Sequence, residues 1–314
     1  SDVCSSDLMM TAPQNRKKFK IAGLGESLWD MYGHEKFIGG SPANFAAHIA
    51  QAGLDAFLFS RVGEDDLGRE LLRELAEFGV DISGVQGDLF KPTGAVRISL
   101  DQFGQPKYDC SRDVAFDFMR TDSLWEELAP QMDAVFFSLL AQRSETSREA
   151  MQLFLQKATT ALKICDVNIR HWNANVEALV NESLAVADII KMNQHECETL
   201  KHGLKSKADD LDFLIELLKK YAIQMATLTL GPHGCYLVTQ KDLEFDPGYH
   251  ILPADTSGAG DAFAAGLVLK ILQRAPLKEA ADFANRLGAF VSTQKGAVPR
   301  WTFDELDQFA LESL

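Results

Sequence analysis

The sequence predicts an α/β protein: a central, mostly parallel sheet flanked by helices, with a small β lid beside it. Short apolar runs alternate with amphipathic stretches along most of the chain, the pattern of strands joined by crossover helices. Two further stretches switch to a period of two, as strands with one polar face do. With 314 residues, 46% of them hydrophobic, the chain can bury a large core, and no internal repeat, low-complexity tract or long linker divides it. One folding unit over residues 13–314 is therefore expected, with lid strands near 28–38 and 93–113. Residues 1–12 stand apart. SDVCSSDL precedes Met9 and Met10, has neither the basic nor the apolar segment of a secretory leader, and reads as a non-native or disordered N-terminus.

In chain order, KIAGLG (20–25), AFLFSRVG (56–63), DAVFFSLL (133–140), LKICDVN (162–168), ADIIKMN (187–193) and MATLTLG (225–231) read as buried strands. Between them SPANFAAHIAQAG, GRELLRELAEFG and SREAMQLFLQKAT repeat apolar residues at spacings of three and four, which gathers them on one helical face. The lid stretches are LWDMYGHEKF (28–37) and TGAVRISLDQFGQPKYDCS (93–111), expected to pair antiparallel. In the second, Val96, Ile98 and Leu100 fall on one side and Arg97 and Ser99 on the other.

Several function classes drop out. A net charge of −14 without a Lys/Arg cluster argues against a nucleic-acid surface. No apolar run approaches the ~20 residues that span a bilayer. Cys4, Cys110, Cys165, Cys197 and Cys235 lack CxxC spacing, which points to free thiols and a cytoplasmic location rather than a disulfide framework or zinc site. The seven histidines show no H-E-x-x-H or paired spacing. GLGESL lacks the third glycine of a dinucleotide fingerprint, and no G-x-x-x-x-G-K-[ST] occurs.

The stretch Asp255–Leu267, DTSGAGDAFAAGL, carries the chemistry. Gly258 and Gly260 permit a tight turn with bare N–H groups, and DAFAAGLVLKIL continues as a buried helix, so the turn is an anion site at a helix N-terminus. Asp261 has two readings there: an N-cap, or a base that takes a proton from a hydroxyl beside a bound phosphate. In CDVNIR (165–170), period two puts Asp166, Asn168 and Arg170 on one side of an apolar strand end, facing either a ligand cleft or a structural polar network.

DTSGAGDAF resembles the C-terminal signature of the ribokinase-like, or PfkB, carbohydrate kinases, and GGSPANFAAHIAQAG resembles the family's N-terminal G-G-x-x-x-N-x-A segment. With RVGEDDLGRELLRELAEFGVD and ANRLGAF, the resemblance runs in order over residues 20–298. It implies a ribokinase-like fold and transfer of the ATP γ-phosphate to a sugar hydroxymethyl group. Asp261 would be the general base, and the amides of Gly258, Ala259 and Gly260 the anion hole, with Arg170 near the transferring phosphate. Asp255 and Ser257 would sit beside a potassium ion. Asn168, Asn193, Glu196, Thr229, Gly231, Gly234, Gly258, Gly260 and Asn285 would face ATP, with Mg²⁺ held by the phosphates and by water near Glu196. The sugar would meet Asp30, Gly39, Gly40, Asn44, Arg97 and Asp261.

TGAVRISLDQFGQPKYD, VAFDF and LLAQRSE look like fructokinase members, which implies a small neutral sugar, fructose, as substrate. Alternatives are 2-keto-3-deoxygluconate kinase, whose acid substrate would need a cation such as Arg97, Lys107 or Arg112, ribokinase, and a catalytically silent sugar- or protein-binding relative. Lid strands with an exposed edge could pair two copies of the chain.

Overall fold

The computed structural model describes residues 18–33, 35–100, 106–169 and 172–312. Thirteen strands are formed among them: β1 Lys20–Leu24, β2 Leu28–Tyr32, β3 Glu35–Gly39, β4 Asp55–Gly63, β5 Val85–Asp88, β6 Gly94–Leu100, β7 Pro106–Cys110, β8 Ala134–Ser138, β9 Leu162–Asp166, β10 Ile189–Asn193, β11 Met225–Thr229, β12 Cys235–Thr239 and β13 Leu243–Asp246. Nine make one sheet in the order β13-β12-β11-β10-β9-β8-β1-β4-β5, and β3-β2-β6-β7 make a second. The large sheet is parallel except at β12 and β13, which fold back as antiparallel strands at one edge. These two, with β5, are the strands of the large sheet that the apolar runs do not announce. Both are short: LEFD has no buried residue, and Tyr236 and Thr239 of CYLVT are only partly covered.

The central strands are apolar throughout because both faces are covered. Period two divides their side chains between two cores. Leu24, Phe137, Cys165 and Ile190 point to one face, onto Met151, Phe154 and Leu155 of the helix Glu145–Lys157. Ile21, Phe136, Ile164 and Ile189 point to the other, onto Phe45 of the helix Ser41–Gln51 and Ala264, Ala265 and Val268 of the helix Ala259–Leu272. Phe45 stacks on Phe136 with ring centroids 4.3 Å apart. These two helices pack side by side on one face, so both of their N-termini reach the carboxyl ends of β1, β9 and β10, where open parallel sheets bind ligands.

In the small sheet β2–β3 and β6–β7 are antiparallel hairpins, but the contact between them, β2 with β6, is parallel. The uniformly antiparallel lid expected from the alternation is thus corrected. The chain passes through β4 and β5 of the large sheet before it returns for β6, and it re-enters in the direction of β2.

Candidate active site

The helix Ala259–Leu272 starts at Gly258, whose φ of +72° and whose approach to Ala297, 2.5 Å from where a Cβ would stand, both require glycine. Ala259 N–H donates to Thr256 O at 3.3 Å, whereas the amides of Gly258 and Gly260 have no acceptor among the described residues. Two free amides at a helix N-terminus form an anion site. A Cβ on Gly260 would lie 2.7 Å from Lys191 Nζ, so the missing side chain brings an ammonium group against that turn.

Asp261 lies in the first turn but does not cap it. Its Oδ1 accepts from Ser41 Oγ at 2.5 Å, and its Oδ2 from Asn44 Nδ2 at 2.8 Å, both on the helix Ser41–Gln51. Ser41 Oγ is also 3.0 Å from Asp166 Oδ2, and Lys191 Nζ donates to Asp166 Oδ1 at 2.9 Å. Burial, then the charge of Asp166, pushes Asp261 up to about 6, against the opposing pull of Lys191, Ser41 and Asn44. Burial by itself would lower Lys191, but the carboxylates of Asp166, Glu196 and Asp261 together outweigh it and hold the amine protonated. Glu26, fully buried after β1, accepts from Ser138 Oγ at 2.7 Å and from Ser41 N–H at 3.2 Å, and burial pushes it up to about 7. Three carboxyl groups, Asp166, Glu196 and Asp261, therefore share one lysine, with Glu26 beside Asp261.

Asn44 is 3% exposed, and its Oδ1 has no hydrogen-bond partner. A buried acceptor without a donor costs ~1 to 3 kcal/mol, so a ligand hydroxyl or water belongs there. Asp30 extends from β2, with its carboxylate against the Cα of Gly39, and Gly40 follows as the N-cap of the helix that carries Asn44. Register places Asp30 on one face of the small sheet with Phe37 and Val96. Arg97 pairs with Met31, on the face where Trp29 and Met31 cover the helix Asp66–Glu77. The structure thus carries Arg97 away from Asp30, exposed on the opposite side of the sheet. Alternation had separated Arg97 from Val96 correctly; the half-buried face, not the polar one, turns toward the site. Arg112 is exposed as well, and the Lys107 side chain lies outside the described residues.

Asn193 and Glu196 cap each other: Asn193 Oδ1 accepts from Glu196 N–H at 2.9 Å, and Glu196 Oε2 from Asn193 N–H at 2.8 Å. Burial pushes Glu196 up to about 7, with Asp166 adding to it. Thr229 closes β11 beside Asn193, and Gly231 and Gly234 shape the turn into β12. Asn285 Nδ2 is engaged by Asp246 Oδ1 at 2.6 Å and Cys235 Sγ at 3.4 Å. The alternation expected through Asn168 to Arg170 stops at Asp166, where β9 ends. Asn168 takes a left-handed φ of 39°, and Arg170 lies outside the described residues.

Asp255 accepts from Ser257 N–H at 2.9 Å and Gly296 N–H at 3.1 Å, and Ser257 Oγ lies 2.8 Å from Tyr32 Oη of β2. The small sheet therefore touches the loop that leads into the anion site. A half-buried carboxylate and a hydroxyl two residues apart are hard oxygen donors of the kind that bind hard cations. No group of three His, Cys, Asp or Glu gathers for a metal ion among the described residues, so the side chains fit a divalent ion only as one that arrives with its own phosphate ligands.

The profile of the pfkB family carbohydrate kinases matches residues 2–302. The chain belongs to the pfkB family. Fructokinase-1 of Oryza sativa subsp. japonica is 31% identical over 309 residues, 94% of this chain and 94% of that protein. An uncharacterized sugar kinase, PH1459 of Pyrococcus horikoshii, solved in complex with ATP, is 28% identical with a TM-score of 0.75, over 94% of this chain and all of the other. Xylella fastidiosa fructokinase with bound ATP superposes with a TM-score of 0.83 over 93% of this chain and 98% of that one, at 22% identity, a likeness of fold.

This pfkB kinase holds site residues that its local motifs did not expose. Lys191 had a signal, a lysine inside the apolar run ADIIKMN, and so did Glu26, an acid next to the first buried strand. Ser41 had none: a serine before proline at a helix start is an ordinary helix opening.

Proposed function

We propose that this pfkB-family sugar kinase is an ATP-dependent fructokinase that converts fructose to fructose 6-phosphate. The observation that carries the reading is the unsatisfied, buried Asn44 Oδ1 on the residue whose Nδ2 holds Asp261. A sugar hydroxyl donating to Asn44 would stand beside a carboxylate whose raised affinity for protons suits it to general-base work. Asp30 would hold further hydroxyls. As the hydroxymethyl oxygen attacks phosphorus, its proton passes to Asp261, and the charge on the phosphoryl oxygens falls to the free amides of Gly258 and Gly260 and to Lys191. Mg²⁺, bound through the ATP phosphates and through water near Glu196, would neutralise charge between the transferred and leaving phosphates. K⁺ beside Asp255 and Ser257 would steady the anion-hole loop.

A neutral sugar is favoured over a sugar acid by the fate of the nearby cations. Arg97 faces away, and Arg143 is held by Asp117 through two bonds of 2.7 and 2.9 Å. The small sheet acts as a lid, its outer strands β3 and β7 offer a second copy of the chain a pairing edge, and the unpaired cysteines suit the cytoplasm. ADP release over fructose, ribose and 2-keto-3-deoxygluconate tests the reading: kcat/KM should be highest for fructose. Preference for the acid would replace it by 2-keto-3-deoxygluconate kinase, and no turnover of any sugar would leave a binding protein.

A further inference from the structure

Ser41 Oγ stands between two carboxylates, 2.5 Å from Asp261 Oδ1 and 3.0 Å from Asp166 Oδ2. A hydroxyl carries one proton, and an ionised carboxylate can only accept. With both aspartates ionised, Ser41 donates to one, and its other contact sets a lone pair against a carboxylate oxygen. One added proton changes this. The neutral carboxyl then donates to Ser41 Oγ, Ser41 donates to the remaining carboxylate, and both contacts are hydrogen bonds.

The flanking groups fix this geometry. Lys191 holds the far oxygen of Asp166, Asn44 holds the far oxygen of Asp261, and the Ser41 main-chain N–H is tied to Glu26. Ser41 is 7% exposed and Asp166 2%, so bulk water does not easily take over the bridge. The charged groups facing the pair come from every neighbouring element: Glu26 after β1, Lys191 in the middle of β10, and Glu196 in the helix Gln194–Gly203.

We propose that Ser41 is a positioning residue that couples the base Asp261 to Asp166, so that the proton taken from the substrate is shared along Asp261–Ser41–Asp166. The proposal rests on the reading of Asp261 as general base. As the substrate O–H bond breaks and its oxygen bonds to phosphorus, Asp261 gains the proton and the leaving phosphate keeps the electron pair of the broken P–O bond. Asp261 then donates to Ser41 Oγ while the Ser41 hydroxyl turns to Asp166. Transfer of both protons one place along restores the Asp261 carboxylate and leaves Asp166 neutral, with no net gain or loss of charge in the cluster.

The pH dependence of kcat/KM for fructose decides the matter, measured on the wild type, Ser41→Ala and Asp261→Asn. Its hydrogen bond to the ionised Asp261 alone pulls that carboxyl down, but Ser41 makes two bonds in the singly protonated cluster and one in the doubly ionised cluster, so its net effect is to raise the proton affinity of the pair. Ser41→Ala should therefore move the acid limb down by about half a unit or more and lower kcat roughly tenfold, with KM little changed. A limb that stays in place would make Ser41 merely structural, and a limb that moves up would make it a simple donor to the Asp261 carboxylate; either result overturns the coupling. Asp261→Asn separates this from the underlying reading: if that variant turns over normally, the base assignment itself fails.

Discussion

Lys191 and Gly260 meet at the anion site, with the lysine ammonium 2.7 Å from the position a Cβ on Gly260 would occupy. One comes from the middle of a buried strand and the other from the first turn of a helix almost seventy residues later. Their contact puts a fixed positive charge beside two free amides, while the same lysine compensates Asp166 at 2.9 Å. Lys191 thus serves the buried charge balance of the fold and, in the proposed reaction, would serve the chemistry as well.

Lys191→Met would leave Asp166, Glu196 and Asp261 buried without a cation. Breaking a buried pair from one side costs about 3 to 5 kcal/mol, so the urea midpoint should fall markedly at pH 7 and recover in part toward pH 5 as the carboxyls protonate. Retention of the wild-type midpoint would show that water reaches the cluster freely.

Asp261→Asn preserves size and the contact with Ser41 but cannot accept a proton. Turnover should fall ~10² to 10⁴-fold. The melting temperature should hold or rise, because the folded protein disfavours the ionised form that the substitution removes.

The acid limb of kcat/KM should lie near pH 6, where Asp261 titrates, with the rate rising as pH increases through that value. For stability the sign is opposite. A carboxyl raised from 3.8 to about 6 in the fold contributes fully below pH 3.8 and progressively less as pH rises through 6. Rate and stability profiles recorded on one preparation should therefore run in opposite directions across this window, as far as Asp261 governs each.

His48 is buried and neutral, held down to about 4 by burial, with its Nε2 3.0 Å from Ala297 O and its Nδ1 accepting from Trp301 Nε1 at 3.1 Å. Since the unfolded value is near 6.5, this group's contribution is present above pH 6.5 and is lost as pH falls toward 4, by up to ~3 kcal/mol. Denaturation of the wild type and His48→Gln at pH 7 and pH 5 should show a smaller loss in the variant.

Asp30→Ala removes a charged acceptor whose hydrogen bonds are worth about 1.5 to 3 kcal/mol each, so kcat/KM for fructose should fall at least tenfold. Arg97→Ala, on the other face of the lid sheet, should stay within about twofold of the wild type. A large effect of Arg97→Ala would mean that this face meets the substrate.

Much of the fold is local and was legible for that reason. The central strands bury both faces, so they appear as apolar runs: β1, β8, β9, β10 and β11 fall within stretches that could be marked in advance, and β4 extends its stretch by one residue, Asp55. DTSGAGD forms its turn and helix start from neighbours in sequence, which made the candidate anion site readable. The antiparallel edge β12–β13 was not, because strands of five and four residues are too short to show a clear periodicity.

What the tertiary structure decided is which distant groups share a charge environment and which side of a sheet looks inward. Ser41 meets Asp166 across 125 positions and Asp261 across 220, and no spacing rule links them. The raised proton affinity of Asp261 is a property of that assembly, of burial and of the charge brought by β9. The place of Arg97 was decided in the same way: a period of two separates two faces, but only the docking of Trp29 and Met31 onto a helix determines which of them is turned from the site.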